Sequence, residues 1–205
     1  MTDLVTASPG RRDRKKQQTR AALIDAALRL VAERGLDRVT VEDISEAADV
    51  SARTFFNYFA SKDDVLIGDQ FVDNTGMRER FLGIDPAVPV LDALLLAIGP
   101  SLDEMQADRE KWFLRMRVMK EHPTLIASLL ARGATAERDL VTAIAERLDL
   151  DPDSAYPAIT AAVTGAAVHS SMVRWAACGG ARTLPDLVSE AFAVLATGLT
   201  DPKER

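Results

Sequence analysis

Apolar and polar positions follow a helical period along most of the chain. From about residue 14 to 34 the apolar residues recur three and four positions apart, and Gly35 then stands where a helix commonly ends. This apolar stripe comprises Ala22, Leu23, Ala26, Ala27, Leu30 and Val31. Ala and Leu dominate the apolar residues, and no alternating strand pattern persists. The pattern therefore predicts an all-α fold.

Two short helices follow the first one. Thr40 stands three residues before Asp43, a spacing typical of a capping box, so a helix is predicted over 41–48. Asp49 and Val50 form a tight turn, and Ser51 is placed to cap a further helix over 52–58. Two short helices joined by a turn of a few residues predict a helix-turn-helix.

Four of the eleven aromatic residues lie within positions 55–59. Phe55 and Phe59 are four residues apart, so they share one helix face and can fill the core of a small helical domain. The opposite face carries Ala52, Arg53, Phe56 and Asn57, which remain available to a partner. The alternative is that this segment is only the core of a helical subdomain.

The remaining chain is predicted to be helical, with breaks at 85–86, at Pro89 and at Gly99–Pro100. Ser101–Glu104 has the spacing of a new capping box, and the helix that carries Trp112 ends at 122–123. Further helices are predicted over 124–148, 154–178 and from Pro185 to about Leu199. The pattern divides the chain into a helix-turn-helix part over 1–62 and a larger helical part over 63–205.

The charge is unevenly distributed along the chain. The net charge is −6, yet residues 1–20 hold six basic and two acidic side chains, a local charge of +4. Residues 1–62 together carry +2, so the remainder carries −8. A positive tip on a negative body is compatible with nucleic-acid binding by the tip alone. An ordinary solvated basic tail would give the same signal.

The chain has one cysteine, which excludes a disulfide framework and favours the reducing cytoplasm. The N-terminus lacks the apolar core of a secretory signal. Residues 154–173 carry no formal charge, but they include Pro157 and their apolar residues are largely Ala, so we expect a buried helix and no membrane span.

No set of residues predicts catalytic or metal chemistry. His122 and His169 are far apart in sequence, and Asp149, Asp151 and Asp153 only mimic the start of a calcium loop. We therefore expect no enzyme activity, no metal and no cofactor. Two alternatives stay open: a helical dimeric small-molecule-binding protein without DNA function, and a helical enzyme that uses His169 or Cys178.

One segment carries a family likeness. A basic arm and a helix that ends in "ERG" precede "VTVEDISEAADVSARTFFNYFASKDDVL" at 39–66, and a helical body follows. This order resembles the tetracycline-repressor (TetR) family over roughly residues 15–66. Phe56 stands where that family usually has Tyr, and Asp49 where it usually has Gly, a change that Asp tolerates.

The resemblance implies roles for individual residues at double-stranded DNA. Arg53 would recognise guanine with its guanidinium fork, and Asn57 would recognise adenine or hold phosphate. Ala52, Thr54 and Phe56 would pack on thymine methyl groups. Contacts to the phosphate backbone would come from Arg20, Thr40, Ser51, Tyr58, Lys62 and the arm over Arg11–Lys16.

The resemblance also implies a DNA-binding domain over 1–62 and a larger ligand-binding and dimerisation domain over 63–205. It further implies a homodimer built by the last two helices, an inverted-repeat operator, and release of repression by a hydrophobic small-molecule effector. Acyl thioesters and lipophilic xenobiotics are possible effector classes. The candidate effector-binding residues are Phe71, Met105, Trp112, Met116, Met119, His169, Met172 and Trp175. Each of these residues can alternatively be plain core.

Overall fold

The computed structural model describes residues 11–68, 74–179 and 181–199, and all regular structure in these ranges is helical. The chain divides into two compact units. Unit 1 comprises Met1–Gly68 and Leu114–Ile126, and unit 2 comprises Asp69–Phe113 and Ala127–Arg205. The expected boundary at 62/63 lies inside unit 1, because the helix that begins at Lys62 packs against the first helix.

The first helix of unit 1, α1, spans Arg11–Arg34 and begins earlier than the predicted start near Arg14. Arg, Lys and Gln are good helix formers, so the basic arm extends the helix. Its buried stripe packs in unit 1 and consists of Leu23, Ala26, Ala27, Leu28, Leu30 and Val31. α1 ends where Gly35 takes a φ of 82°, and Leu36–Arg38 then forms a 3₁₀ turn.

The predicted helix-turn-helix is present in the structure. α2 spans Val41–Ala47, and its capping box is confirmed, since Thr40 Oγ1 accepts from the Asp43 N–H while Thr40 N donates to Asp43 Oδ2 over 2.8 Å. Asp49 enters the left-handed region with a φ of 53°. α3 spans Ala52–Phe56, and Ser51 caps it by accepting from the Thr54 N–H.

α3 ends before the predicted Tyr58. The N–H groups of Asn57 and Tyr58 donate to the carbonyls of Thr54 and Phe55, three residues back, so the last turn tightens and leaves the α-helical pattern.

Phe55 and Phe59 hold α3 in place. Their side chains are 0% and 5% exposed, and their ring centroids lie 5.7 Å apart. The prediction that these two rings form the core of the N-terminal helices is confirmed. Truncation of such a fully buried ring to Ala typically costs about 3–5 kcal/mol, a large share of the stability of a small unit.

α4 spans Lys62–Ile67, is capped by Ser61, whose hydroxyl accepts from the Asp64 N–H, and ends at Gly68 with a φ of 71°. Arg115, only 1% exposed, donates from Nε to the Leu66 carbonyl over 2.9 Å. Its Nη2 lies 2.8 Å from the point where a Cβ on Gly68 would stand. A buried cation therefore occupies the C-terminal end of α4, where the helix dipole favours positive charge. No local sequence pattern indicates this contact.

Unit 2 begins its described part with α5 (Asn74–Gly83) and α6 (Val90–Ala107). The predicted break at Gly99–Pro100 is wrong, because α6 continues through Pro100, and Ser101 lies inside this helix and caps nothing. Arg80 of α5 donates from Nε to the Ala97 carbonyl over 2.7 Å and from Nη2 to Ser101 Oγ. These contacts support the turn that proline weakens by removing a backbone donor.

α7 spans Arg109–Glu121 and contributes residues to both units, and α8 spans Pro123–Leu148. Near the end of α8, Arg147 donates to the carbonyls of Phe81, Ile84, Asp85 and Val88. The guanidinium of Arg147 therefore supplies hydrogen-bond donors to carbonyls at the end of α5 and in the loop that follows it. Carbonyl groups removed from water need such donors.

α9 (Ala155–Ala177) and α10 (Leu184–Ala196) pack against each other, and α10 also packs on α6. Glu190 of α10 accepts from Arg174 over 2.8 Å and from Arg182 over 2.6 Å. The hydrogen bond from Arg174, and after it the one from Arg182, lowers the pKa of Glu190. α10 ends before the predicted Leu199, which has a φ of 57°.

The capping box makes the stability of α2 dependent on pH. Hydrogen bonds from the backbone N–H and then the side chain of Thr40 lower the pKa of Asp43 below its ordinary value of 3.8. A lowered pKa means that the ionised carboxylate stabilises the folded chain above pH 3.8, and that this contribution is lost as the pH falls through the folded-state pKa.

We therefore expect Asp43→Ala to lower the urea midpoint of the full chain at pH 7 and to match wild type ever more closely as the pH falls below 3.8. Glu42→Ala is the control, since it removes the same charge from the same helical turn without touching Thr40. Equal effects of the two substitutions at pH 7 would show that only the helix dipole is involved.

The contact between Arg115 and Gly68 gives a second prediction. Gly68→Ala places a Cβ against the guanidinium in a left-handed backbone, so it should destabilise the chain by roughly 1–2 kcal/mol or more. Gly133→Ala is the control, because Gly133 lies within α8 with open space around it and should gain up to about 1 kcal/mol. Urea unfolding of the two variants measures both effects, and a neutral Gly68→Ala would contradict the close packing.

Candidate functional site

The outward face of α3 is the candidate nucleic-acid interface. Because Phe55 and Phe59 point into the core, helical geometry turns Arg53, Phe56 and Asn57 to the surface, where all three are exposed. Phe56 is 57% exposed and meets Phe55 edge to face, with ring centroids 5.4 Å apart. Three further predicted contact residues are half-buried: Ala52, Thr54 and Tyr58.

Ser51 and Thr54 share a hydroxyl contact at the start of α3. Their side-chain oxygens lie 2.9 Å apart, and either one can donate. One hydroxyl hydrogen bridges the two oxygens, which leaves the other hydrogen for an external acceptor. Ser51 is exposed, so this pair can present one donor at the surface.

Thr40 is committed to its own helix. Its hydroxyl donates to Asp43 Oδ2 over 2.8 Å, and its backbone N–H donates to the same oxygen. A threonine hydroxyl has a single hydrogen, so a phosphate contact from Thr40 requires the bond to Asp43 to break. The sequence-based prediction of a phosphate contact by Thr40 did not take into account that Asp43 competes for the same hydroxyl hydrogen.

Lys62 also has partners within unit 1. Its Nζ donates to the Leu36 carbonyl over 2.9 Å and lies 3.4 Å from the Val39 carbonyl. The ammonium group therefore closes the 3₁₀ turn against the start of α4. An ammonium group has three hydrogens, so a phosphate contact remains possible through the third.

Arg20 and the basic arm border the same unit. The guanidinium carbon of Arg20 lies 4.7 Å from the centroid of the Phe59 ring, a cation–π contact that fixes the side chain beside α3. Along the first turns of α1, the side chains of Arg12, Arg14, Lys15 and Lys16 are exposed.

The candidate effector residues have different environments. Phe71 lies outside the described residues. Met105, Trp112, Met119 and Trp175 are at most 3% exposed, and Met116 and Met172 are half-buried. His169 is exposed on α9, so it is a surface residue and not part of a buried cluster. Met116 and Met119 belong to unit 1, whereas the two tryptophans belong to unit 2.

Trp112 and Trp175 meet in an aromatic cluster of unit 2. Their ring centroids lie 4.9 Å apart, and Phe113 lies 5.2 Å from Trp175 and 5.3 Å from Trp112. Sequence reasoning missed Phe113, because adjacent helical positions usually point to different sides and nothing local shows that both rings reach α9.

Two surface depressions are lined by residues outside this aromatic cluster. One, of about 350 Å³, is lined by Gln106–Glu110 at the junction of α6 and α7. The other, of about 10 Å³, includes Met77 and Leu140. Within the described residues no three His, Cys, Asp or Glu side chains gather as a metal site requires. No described helix is long and apolar enough to cross a membrane.

Two family profiles match the chain. The profile described as "Bacterial regulatory proteins, tetR family" matches residues 23–67, which contain the helix-turn-helix. The profile described as "MftR C-terminal domain" matches residues 88–200, more than half of the chain.

Curated relatives agree with these matches. The transcriptional regulator TcmR of Streptomyces glaucescens is 36% identical over 155 residues, which cover 71% of this chain and 68% of TcmR. The repressor KstR2 of Rhodococcus jostii is 26% identical over 204 residues, which cover 91% of this chain and 94% of KstR2.

Solved structures share the fold. The Thermus thermophilus repressor FadR, in complex with lauroyl-CoA, has a TM-score of 0.54 at 22% identity, with 89% of this chain and 95% of FadR covered. The complex of SmeT with triclosan also has a TM-score of 0.54, at 19% identity, with 86% and 90% covered. The helix-turn-helix is present and both parts of the chain match family profiles, so this chain belongs to the TetR family of bacterial transcriptional regulators.

Proposed function

We propose that this chain is a dimeric repressor that binds an inverted-repeat operator through α3 and is released by a hydrophobic small molecule. The observation that carries the proposal is the division of α3 into a buried aromatic face and an exposed face with Arg53, Phe56 and Asn57. A chromosomal DNA partner places its action in the cytoplasm.

Base recognition is assigned to the exposed face of α3. The Arg53 guanidinium fork matches the two major-groove acceptors of guanine, and the Asn57 amide matches adenine. Phe56 has no hydroxyl for a phosphate, and its exposed ring instead suits the methyl group of thymine. Ala52 and Thr54 are half-buried on the same short helix, and we assign them further apolar contact with the bases.

Phosphate contacts are assigned to groups around α3. The Ser51–Thr54 pair has one hydroxyl hydrogen to offer, Tyr58 has its phenol, and Lys62 has one ammonium hydrogen beyond its two carbonyls. Arg20 and the exposed arm add positive charge. These contacts orient the protein on DNA and make its affinity dependent on salt, but they carry no sequence information.

Dimerisation is assigned to the exposed apolar face of α9. Tyr156, Ile159 and Val173 are 52%, 60% and 56% exposed, and Val194 of α10 is 49% exposed. Small residues separate them on α9, where Ala158, Ala162 and Gly165 are exposed and allow close approach of a twin helix. A two-fold pair would place two α3 helices in major grooves about 34–36 Å apart on one face of the DNA.

The effector is proposed to be hydrophobic. Two structural relatives are described in complex with lauroyl-CoA, whose acyl chain is apolar although its coenzyme A part is charged, and with triclosan, whose aromatic rings are apolar. In this chain, the buried aromatic cluster of unit 2 supplies apolar surface of the same character. The effector acts by stabilising a state whose two recognition helices no longer fit successive grooves.

The first test is selection of bound duplexes from a random DNA pool at about 150 mM salt, where binding through phosphates alone is weakened. We expect a two-fold inverted repeat. The protein is first denatured, stripped of bound small molecules and refolded. If the selection with this protein enriches no sequence, the proposal is contradicted.

Arg53→Ala should weaken operator binding by roughly 1–3 kcal/mol and relax the preference at one base pair in each half-site. Arg117→Ala is the control, since it removes the same charge from an exposed position on α7. Binding is measured against the selected operator and a set of single-base variants of it. A loss that is uniform over all the variants would assign Arg53 to the phosphate backbone instead.

Ile159→Glu should convert the dimer to a monomer, because it buries an unpaired charge in the proposed interface. Leu96→Glu is matched in exposure, at 61% against 60%, and lies on α6. Sedimentation velocity should show a concentration-dependent dimer for wild type and Leu96→Glu only. A dimer that survives Ile159→Glu with unchanged affinity would place the interface elsewhere.

A further inference from the structure

The aromatic cluster of Trp112, Phe113 and Trp175 contains two buried N–H groups that donate no hydrogen bond within the described residues. Trp112 and Trp175 are 3% and 0% exposed, and the indole N–H of each is buried without a partner among the described residues. A buried donor without a partner is unfavourable, and native interiors leave few of them. Here two such donors belong to neighbouring rings.

Two buried hydroxyl groups of unit 2 are satisfied. The Thr164 hydroxyl donates to the carbonyls of its own helix, and the Ser171 hydroxyl donates to Ala167 and Leu187. A third buried nitrogen without a partner, Nε of Arg147, belongs to a guanidinium whose other nitrogens make four hydrogen bonds. The unmet donor capacity is therefore concentrated at the two indoles.

We infer that Trp112 and Trp175 donate their indole N–H groups to an uncharged oxygen acceptor, such as a ketone, ester or thioester carbonyl, on an effector whose apolar part stacks on the aromatic cluster. The inference rests on the proposed function, because it names the chemical class of the effector of that regulator.

The acceptor is uncharged because of its surroundings. Among the described residues of unit 2, no charged side chain is fully buried, and the half-buried guanidinium of Arg147 already donates to four carbonyls, so an effector carboxylate beside the indoles would lack a counter-ion. Arg115 is three residues along α7 from Trp112, but it belongs to unit 1 and its Nε is bonded to the Leu66 carbonyl. Two neutral donors suit one neutral carbonyl oxygen, which has two lone pairs.

The chain is well suited to a direct test, since it contains only two tryptophans and both are in the cluster. Two pairs of probes differ mainly by a carbonyl group: 9-fluorenone with fluorene, and lauroyl-CoA with its S-dodecyl thioether analogue. The first pair tests an aromatic ketone as the source of the carbonyl, and the second pair tests an acyl thioester. Tryptophan fluorescence of the full-length protein gives affinities, and indole ¹⁵N–¹H spectra report hydrogen bonding at each N–H.

We expect the carbonyl member of at least one pair to bind roughly 3- to 10-fold more tightly than its partner and to shift an indole proton downfield. Trp112→Phe and Trp175→Phe assign the two signals and should remove this preference for the carbonyl. Phe113→Leu is the control, because it should weaken both members of a pair equally and leave the preference intact.

If the two members of each pair bind with equal affinity and the indole signals do not shift, the inference is overturned, but the proposal of a hydrophobic effector is unaffected. Absence of binding by all four probes also overturns it for both sources. Either result leaves the recovery of an inverted-repeat operator unaffected, so failure of this inference and failure of the proposed DNA function are distinguishable.

Discussion

The orientation of α3 depends on the burial of Phe55. A helix of five residues is too short to be stable by itself, so packing must fix its position and its rotation about the helix axis. Phe55 is fully buried and contacts Phe59, which in turn lies under the guanidinium of Arg20. With the inward face fixed, the 3.6-residue period leaves Arg53, Phe56 and Asn57 no position except the outward face. The surface that we assign to base recognition is therefore a consequence of the core beneath it.

Features with a local cause were predictable from the sequence. The Thr40–Asp43 box, the Ser51 and Ser61 caps and the burial of Phe55 and Phe59 each follow from a few neighbouring residues. Predictions failed where a distant side chain intervened. Pro100 does not end α6, since Arg80 from another helix supports that turn. The burial of Arg115 against Gly68 could not be predicted, because its partners lie about fifty positions away in the chain.

The same distinction applies to the candidate site. Composition and spacing identified an exposed Arg53 and buried tryptophans, which depend mainly on helix periodicity. They did not reveal that Thr40 gives its hydroxyl hydrogen to Asp43, or that Lys62 donates to Leu36. Polar side chains choose among several acceptors within reach, and only the folded geometry decides which one wins. His169 shows the converse: its helix was predicted, but which face of that helix is buried depends on the packing of α10.

Two kinds of exposed apolar surface lead to two different kinds of partner. Phe56 stands alone on α3 between Arg53 and Asn57, so it offers one ring among polar groups and suits a single methyl group in a groove. The α9 face instead combines Tyr156, Ile159 and Val173 with small residues over a long helix. This face is largely apolar, although His169 and Ser170 are also exposed on it, and it is the surface that we propose to pair with a two-fold copy of the same helix. The charge distribution agrees, because the acidic part of the chain beyond residue 62 is unfavourable for DNA, whereas the basic first twenty residues are not.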